Sequence, residues 1–557
     1  MRAPGGSGMV PSMRLVLALV FSFLALVSCG GTAARPEEPH PPASPRPRIV
    51  VALVYDQLAS WVLERHHDRL DPRGALRRTM DRGTWIHRVA YGYAGTYTAP
   101  GHAAIYTGAS PFQSGVPSNR VWDRERHARV SSMDDAEHPL FGRPTAFASP
   151  AILHAESVAD VLERESGGAA VTLSIAMKDR SAVLPGGQHP DGCFWLDVRA
   201  GGFTTSSWYG DALPPWVEAW QAEHPLAATM HVWEPEDPAM LAEALGPDDQ
   251  SGEGAYGFGR TFPHDPSAPE TIGEPDAYLS TPASVEHLLA FAREATRALH
   301  VGEDAQTDLV AISIATPDYV GHAFGPESWE YLDALVRVDR ELGLYLDELE
   351  RAHGEIAVLI TADHGVAPLV ERSHERGHPD AVRWTSEAEL ELLRAHLAED
   401  LGPGEWVEAW VQPYVYLSDA ARSGPDRDRV VAAITRYLLD RPGIARVVDT
   451  RAGAALRASA DPMDALFGQS LPVPPPGELY VVPTEWSAAE EELSAEAGTS
   501  HGSPYAYDRE VPVVMSGPGV AHAELDEPPR AQARVATTIA HLCGVSAPAL
   551  ADPAPLP

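Results

Sequence analysis

Lysine is almost missing from this chain of 557 residues: of its 42 basic side chains, Lys178 alone is lysine and the rest are arginine. Positive charge is short altogether, since 78 acidic residues set the formal net charge at −36. Such a surface repels phosphate backbones and anionic bilayers, which excludes nonspecific nucleic-acid binding and electrostatic attachment to a membrane. A small anion can bind only where positive charge is gathered locally. Cysteine is scarce as well, at three residues, so a disulfide-stapled scaffold is excluded and Cys193 and Cys543 read as buried thiols. No apolar run reaches the roughly 20 residues of a membrane-spanning helix, and no internal repeat is visible. What is present in quantity is a 44% hydrophobic fraction, enough for a real core, with 46 Gly and 51 Pro that make the chain rich in loops.

The amino terminus has a basic start at Arg14, an apolar run from Leu15 to Val27, and then Leu26-Val27-Ser28-Cys29. This pattern reads as an export signal over residues 1–28, its last four residues resembling a bacterial lipobox with Cys29 as the lipid-bearing residue; an ordinary signal peptide or an uncleaved anchor is the alternative. The following Pro- and Ala-rich stretch to residue 48 reads as a tether. The expected location is therefore outside the cytoplasm, as a periplasmic or cell-surface lipoprotein anchored at the outer membrane, with the membrane touched only through Cys29.

Three short apolar runs follow one form. Arg48 to Tyr55 ends at Asp56, Asp308 to Ala315 ends just before Asp318, and Ile356 to Thr361 ends before Asp363 and His364. They predict buried parallel strands that present function at their carboxyl ends. Ser328 to His353 predicts a long helix, with Leu332, Leu335, Leu342, Leu346 and Leu349 on one stripe and Gly354 as its stop. Alternation of such elements predicts an α/β three-layer sandwich around a mostly parallel sheet. Two stretches break the pattern and read as cap insertions, near residues 195–282, rich in Trp, and 371–497, with a Pro-rich segment.

Asp56, the Asp318-x-x-x-His322 pair, the adjacent Asp363-His364 and His501 together offer three carboxylates and three imidazoles. Each alone reads as an ordinary core or surface residue; jointly, at strand ends, they suit two divalent sites with mixed O/N ligands, such as zinc. Between the first two lies Thr98-Ala99-Pro100-Gly101-His102, where Pro100 suits a helix start. Thr98 is then either an N-cap or, beside a metal, a nucleophile.

As an ordered set, these motifs resemble the alkaline phosphatase superfamily, and within it the phosphate-irrepressible alkaline phosphatases with a threonine nucleophile, relatives of the type I phosphodiesterases and nucleotide pyrophosphatases. The set is Asp56, Thr98 to His102, Asn119, Lys178-Asp179-Arg180, Asp318-x-x-x-His322, Asp363-His364-Gly365 and Ser500-His501-Gly502. The resemblance implies a catalytic domain over residues 49–550 with a short tail, 551–557. It implies one zinc held by Asp318, His322 and His501, and a second by Asp56, Asp363 and His364 with Thr98 reaching it. Asn119, Lys178 and Arg180 would bind the substrate phosphate, and His102 is expected to be structural. The chemistry implied is hydrolysis of small phosphate monoesters through a covalent phosphothreonine. Ser114, where relatives often carry histidine, and the altered run Arg120 to Trp122 bear on substrate preference.

Formal charge agrees with a monoester. The charges of two zinc ions are balanced by three aspartates and a Thr98 alkoxide, so Lys178 and Arg180 remain to match a phosphate dianion. A phosphodiesterase on the same scaffold, expected to lack the Lys-x-Arg pair, is the enzyme alternative, and a non-catalytic lipid-anchored phosphate-ester binding protein is the alternative of another class. His374-Glu375-Arg376-Gly377-His378 spells a zinc-protease motif, but Gly377 and Pro379 oppose the helix it needs. Gly498 to Gly502 spells a serine-hydrolase elbow without the buried strand that should precede it.

Overall fold

The computed structural model describes residues 46–268, 271, 274–490, 497–526 and 531–557. The expected signal peptide, Cys29 and nearly all of the tether lie outside these residues. All seven residues of the strand Ile49–Tyr55 are buried, as are all seven of Asp308–Ile314 and all five of Ala357–Thr361. Side chains alternate between faces along a strand, so complete burial means that both faces of the sheet are covered. That is why these strands read as continuous apolar runs rather than as alternations.

They are the centre of a nine-stranded sheet, in the order Ala523–Leu525, Thr84–Ala90, Glu510–Ser516, Ala357–Thr361, Ile49–Tyr55, Asp308–Ile314, Thr172–Ala176, Gly192–Asp197 and Gly202–Thr204. The five strands from Ala357 to Gly192 are mutually parallel; Glu510–Ser516 and Gly202–Thr204 join antiparallel. Helices cover the sheet as expected of an α/β sandwich. Trp329–His353 packs on Pro282–Ala298, Thr316–Phe324 and Ala75–Arg82, while Thr98–Thr107 packs on Asp179–Gly186 and Ala531–Cys543. Ser328 caps the long helix by accepting from the Tyr331 amide, and Gly354 ends it at a left-handed φ of 87°.

Register decides where chemistry gathers. Tyr55 pairs with Ile314 and Val54 with Thr361, so Asp56, Ala315 and Asp363 emerge side by side at one carboxyl edge. Within the expected second insertion, Val407–Val411, Tyr414–Leu417, Leu479–Pro483 and Ile444–Asp449 form a separate antiparallel sheet whose core includes Leu393, Leu397, Ile434 and Leu479. The expected first insertion begins inside the strand Gly192–Asp197. Its Trp195, Trp220 and Trp233 are buried core residues, not a lining of the cleft. Residues 551–557 pack back through Leu556, whose amide bonds to the Thr538 hydroxyl. Cys193 and Cys543 are both buried and unbridged.

Candidate active site

The Thr98–Thr107 helix starts one residue earlier than a capping threonine would allow. Its N-cap is Tyr97, and Thr98 is the first helical residue, so the Thr98 hydroxyl is not spent on capping. The free amide of Ala99 is satisfied instead by Asn119 Oδ1 at 2.8 Å. This bond orients Asn119 so that its Nδ2 stands 3.5 Å from Thr98 Oγ1, and His364 Nε2 stands 3.5 Å away on the other side. Thr98 is fully buried, at the positive end of the helix dipole.

Gly101 lets this helix press onto the ligand loop: a Cβ there would lie 2.3 Å from the Asp363 carbonyl oxygen. His102 holds the same junction. Its Nδ1 donates to the Thr98 carbonyl at 2.9 Å and lies 3.2 Å from Asp363 Oδ2, while Nε2 meets Ser313 Oγ at 2.9 Å.

The three other histidines share one orientation. His322 Nδ1 donates to the Thr499 carbonyl at 3.0 Å, His364 Nδ1 to Gly365 at 3.0 Å and His501 Nδ1 to Thr96 at 2.8 Å. Each bond to a carbonyl fixes the tautomer and leaves the Nε2 lone pair aimed into the cluster, as metal-binding imidazoles require. The Nε2 atoms of His322 and His501 lie 3.2 and 3.7 Å from Asp318 Oδ1, and that of His364 lies 3.3 Å from Asp56 Oδ1. Asp56 Oδ1 and Asp363 Oδ2 are buried without a hydrogen-bond partner among the described residues.

Carboxylates govern protonation in the cluster. Burial works against it, yet Asp318 holds His322 up to about 9, and Asp363 with Asp56 holds His364 at about 9. Three buried carboxylates, two of them with an oxygen that has no hydrogen-bond partner among the described residues, and three preset imidazoles fit divalent cations with O/N preference. Asp56, Asp363 and His364 offer ligand atoms mutually within 4.8 Å, and so do Asp318, His364 and His501. His322 joins the cluster through Asp318 Oδ1 and through a third group with His501 and Glu490, so the six side chains singled out in the sequence lie together.

Lys178 is buried at the edge of this cluster, its Nζ 2.7 Å from Asp56 Oδ2 and 2.6 Å from Asp318 Oδ2. Burial disfavours its charge, but Asp318 and Asp56 outweigh that and hold it well above the ordinary lysine range. Arg180 lies beyond it, its Nε buried without a hydrogen-bond partner among the described residues. Thr98, Asn119, Lys178, Arg180 and His322 line one cavity of about 580 Å³, together with Tyr256, Glu274 and Asp276.

Two participants carried no sequence signal. Gln57, at a left-handed φ of 73°, donates through its amide to Asp363 Oδ1 and through Nε2 to Asp318 Oδ1 at 2.9 Å, tying both ligand groups together. Gly321 makes room for it, since a Cβ there would meet Gln57 Oε1 at 1.7 Å. Glu490 stands with His322 and His501, the three offering ligand atoms mutually within 4.8 Å. The protease-like motif comes apart as expected: its helix ends at Glu375, and His378, beyond Gly377, stacks on Trp486.

A parallel-sheet edge that gathers carboxylates and imidazoles beside a buried hydroxyl defines a metal-binding hydrolase on an α/β scaffold. The chain belongs to the type I phosphodiesterase / nucleotide pyrophosphatase family, whose model matches residues 50–503. It is 27% identical to alkaline phosphatase PafA of Elizabethkingia meningoseptica over 508 residues, covering 87% of this chain and 90% of that protein. It is 28% identical to alkaline phosphatase PhoK of a Sphingomonas species over 498 residues, 86% of each chain. The crystal structure of PafA superposes with a TM-score of 0.82 at 26% identity, covering 92% of this chain and 99% of that one. A solved PafA variant is altered at a threonine, an asparagine, a lysine and an arginine; their order and the Thr-to-Asn and Lys-to-Arg intervals equal those of Thr98, Asn119, Lys178 and Arg180.

Proposed function

We propose that this chain is an alkaline phosphatase that hydrolyses small phosphate monoesters through a phosphothreonine at Thr98, with two zinc ions as its resident metals. One observation carries the reading: a buried threonine hydroxyl at a helix N-terminus, 3.5 Å from both His364 Nε2 and Asn119 Nδ2, opens into the cavity that holds Lys178 and Arg180. PafA and PhoK, similar over most of their length, are both named alkaline phosphatases.

Asp56, Asp363 and His364 would hold one metal; Asp318, His322 and His501 would hold the other. Bound zinc would supply Lewis acidity, favouring the Thr98 alkoxide and stabilising charge on the departing ester oxygen. The helix N-terminus favours the same alkoxide. Thr98 Oγ1 forms the new bond to phosphorus as the ester oxygen departs, and water later cleaves the phosphothreonine. Asn119, held by the Ala99 amide, directs its Nδ2 at a phosphoryl oxygen, and Lys178 and Arg180 neutralise the charge on the others. Burial of Thr98 keeps bulk water from the hydroxyl.

A diesterase reading is favoured by one feature. Lys178 is already engaged by Asp56 and Asp318, which leaves Arg180 as the less committed cation facing substrate. Comparison of kcat/KM for an aryl phosphate and the corresponding bis-aryl diester separates the two. Monoester preference is expected, and diester preference overturns the assignment. The amino-terminal pattern completes the proposal: the mature protein is exported and attached to the membrane through Cys29. Cys29→Ser should abolish incorporation of labelled fatty acid, and retained label would sink the anchor.

A further inference from the structure

Glu490 ends the short strand Ala488–Glu490, which pairs in parallel with Arg383–Thr385 inside the second insertion, outside the main sheet. Two ties carry it to the metal cluster. Arg383 Nε donates to the Gly498 carbonyl at 2.6 Å, fastening the partner strand to the loop that leads to His501. Ser500, next to His501, donates its hydroxyl to Glu490 Oε1 at 3.1 Å. The same loop is locked to the other imidazole by a reciprocal pair, the Thr499 amide to the His322 carbonyl and His322 Nδ1 to the Thr499 carbonyl, both 3.0 Å. Glu490, His322 and His501 are therefore held against one another by named bonds.

The consequence is a carboxylate and two imidazoles whose ligand atoms all lie within 4.8 Å, the spread expected around a single cation. Asp318 meets the same two imidazoles through Oδ1, while its Oδ2 is taken by Lys178. Glu490 also lines the cavity that contains Thr98 and Arg180, so it reaches the cluster from the open side.

We propose that Glu490 is a further ligand of the cation held by Asp318, His322 and His501, supplied by the insertion and oriented by Ser500. The inference rests on the two-metal reading above. It makes this site a joint product of the sheet edge and the insertion, unlike the Asp56/Asp363/His364 site, whose three ligands all follow central strands. It also removes one positive charge from the formal balance of the centre. Formal charge matching then favours a diester monoanion, so a preference for monoesters rests on the directed contacts of Asn119, Lys178 and Arg180 and on the shape of the cavity.

The test uses the full zinc-loaded chain and reads metal release to a chromogenic chelator, together with the visible spectrum after cobalt replacement. Glu490→Gln should release one of two zinc ions about 10- to 100-fold faster than wild type, leave the other unchanged, and alter the cobalt spectrum. Glu490→Asp keeps the charge and shortens the reach by one methylene, so it should behave like Glu490→Gln. Ser500→Ala should shift release in the same direction by a smaller factor. Wild-type release and an unchanged cobalt spectrum in Glu490→Gln would overturn the proposal. So would a wild-type Glu490→Asp beside an impaired Glu490→Gln, which would reduce Glu490 to a charge acting at a distance. A wild-type chain that binds no divalent cation would bring down the two-metal reading itself.

Discussion

The central strands and the separate four-stranded antiparallel sheet are both well packed, yet they stand differently to the site. Every residue of Ile49–Tyr55 is buried, whereas Ile444–Asp449 has a mixed pattern with one exposed and three half-buried positions. The insertion keeps its own core around Leu393 and Leu479, apart from the core of the main sheet. Ligands that follow a strand buried on both faces inherit its rigidity, because neither neighbour can move without opening the core. A ligand supplied from outside that sheet, as proposed for Glu490, would inherit only the precision of a few loop bonds. The contrast separates side chains fixed by the sheet edge from side chains held by loops.

Substitutions should separate these roles. Thr98→Ala ought to remove at least about 10³-fold of phosphate-ester turnover while leaving metal content intact, as for loss of a nucleophile. Residual turnover within tenfold of wild type would reassign the attacking group. Asp363→Asn, at the sheet edge, should cost the chain one equivalent of bound metal by elemental analysis, and full metal content would break the link between strand end and ligand. Lys178→Arg should lower monoester kcat/KM by about 10-fold, since a planar fork cannot replace a compact ammonium lodged between two carboxylates; an unchanged value would mean that only charge matters there. In the insertion, Leu393→Ala should cost about 2–5 kcal/mol of stability by calorimetry or denaturant titration, with kcat of the folded protein altered less than about twofold. A kcat loss like that of Thr98→Ala would erase the distinction.

The last expected effect is on stability alone and concerns Asp339, buried beneath the first strand, where the Tyr55 hydroxyl and the Leu76 amide donate to Oδ1. Burial holds this carboxyl up to about 7 despite those bonds. Between the unfolded value near 4 and about pH 7 the folded chain keeps a proton that the unfolded chain has lost. Stability therefore falls as pH rises through that window, by up to about 1.4 kcal/mol per unit from this group. Asp339→Asn should flatten that part of a stability–pH profile, and an unaltered slope would assign it elsewhere.

Much of the site is legible in the sequence because local geometry writes it there. Asp318 and His322 share a helical face by spacing, Asp363 and His364 adjoin at a strand end, and complete burial of three strands leaves three apolar runs. The boundaries move only slightly: Arg48 and Ile356 fall outside their strands, and Ser328 is the cap of its helix rather than a member. What could not be read depends on pieces that meet only in three dimensions. Gln57 matters because its left-handed backbone turns it toward two ligand groups and Gly321 leaves it space, neither of which is a pattern along the chain. Glu490 lies in an acidic stretch where nothing marks one glutamate above its neighbours. Thr98 reads as either a cap or a nucleophile from sequence, and only the bond from Ala99 to Asn119 shows that its hydroxyl is not spent on capping.

The contact at Gly101 has a consequence for how such an enzyme can change. Backbone there rests on the backbone of Asp363, with no room for one added methyl group. The spacing between the helix that carries Thr98 and the loop that carries Asp363 is therefore set by main chain against main chain, a fixed stop. Natural variation or laboratory selection can rebuild other parts of the cavity wall and recruit other esters, while that spacing keeps the same length.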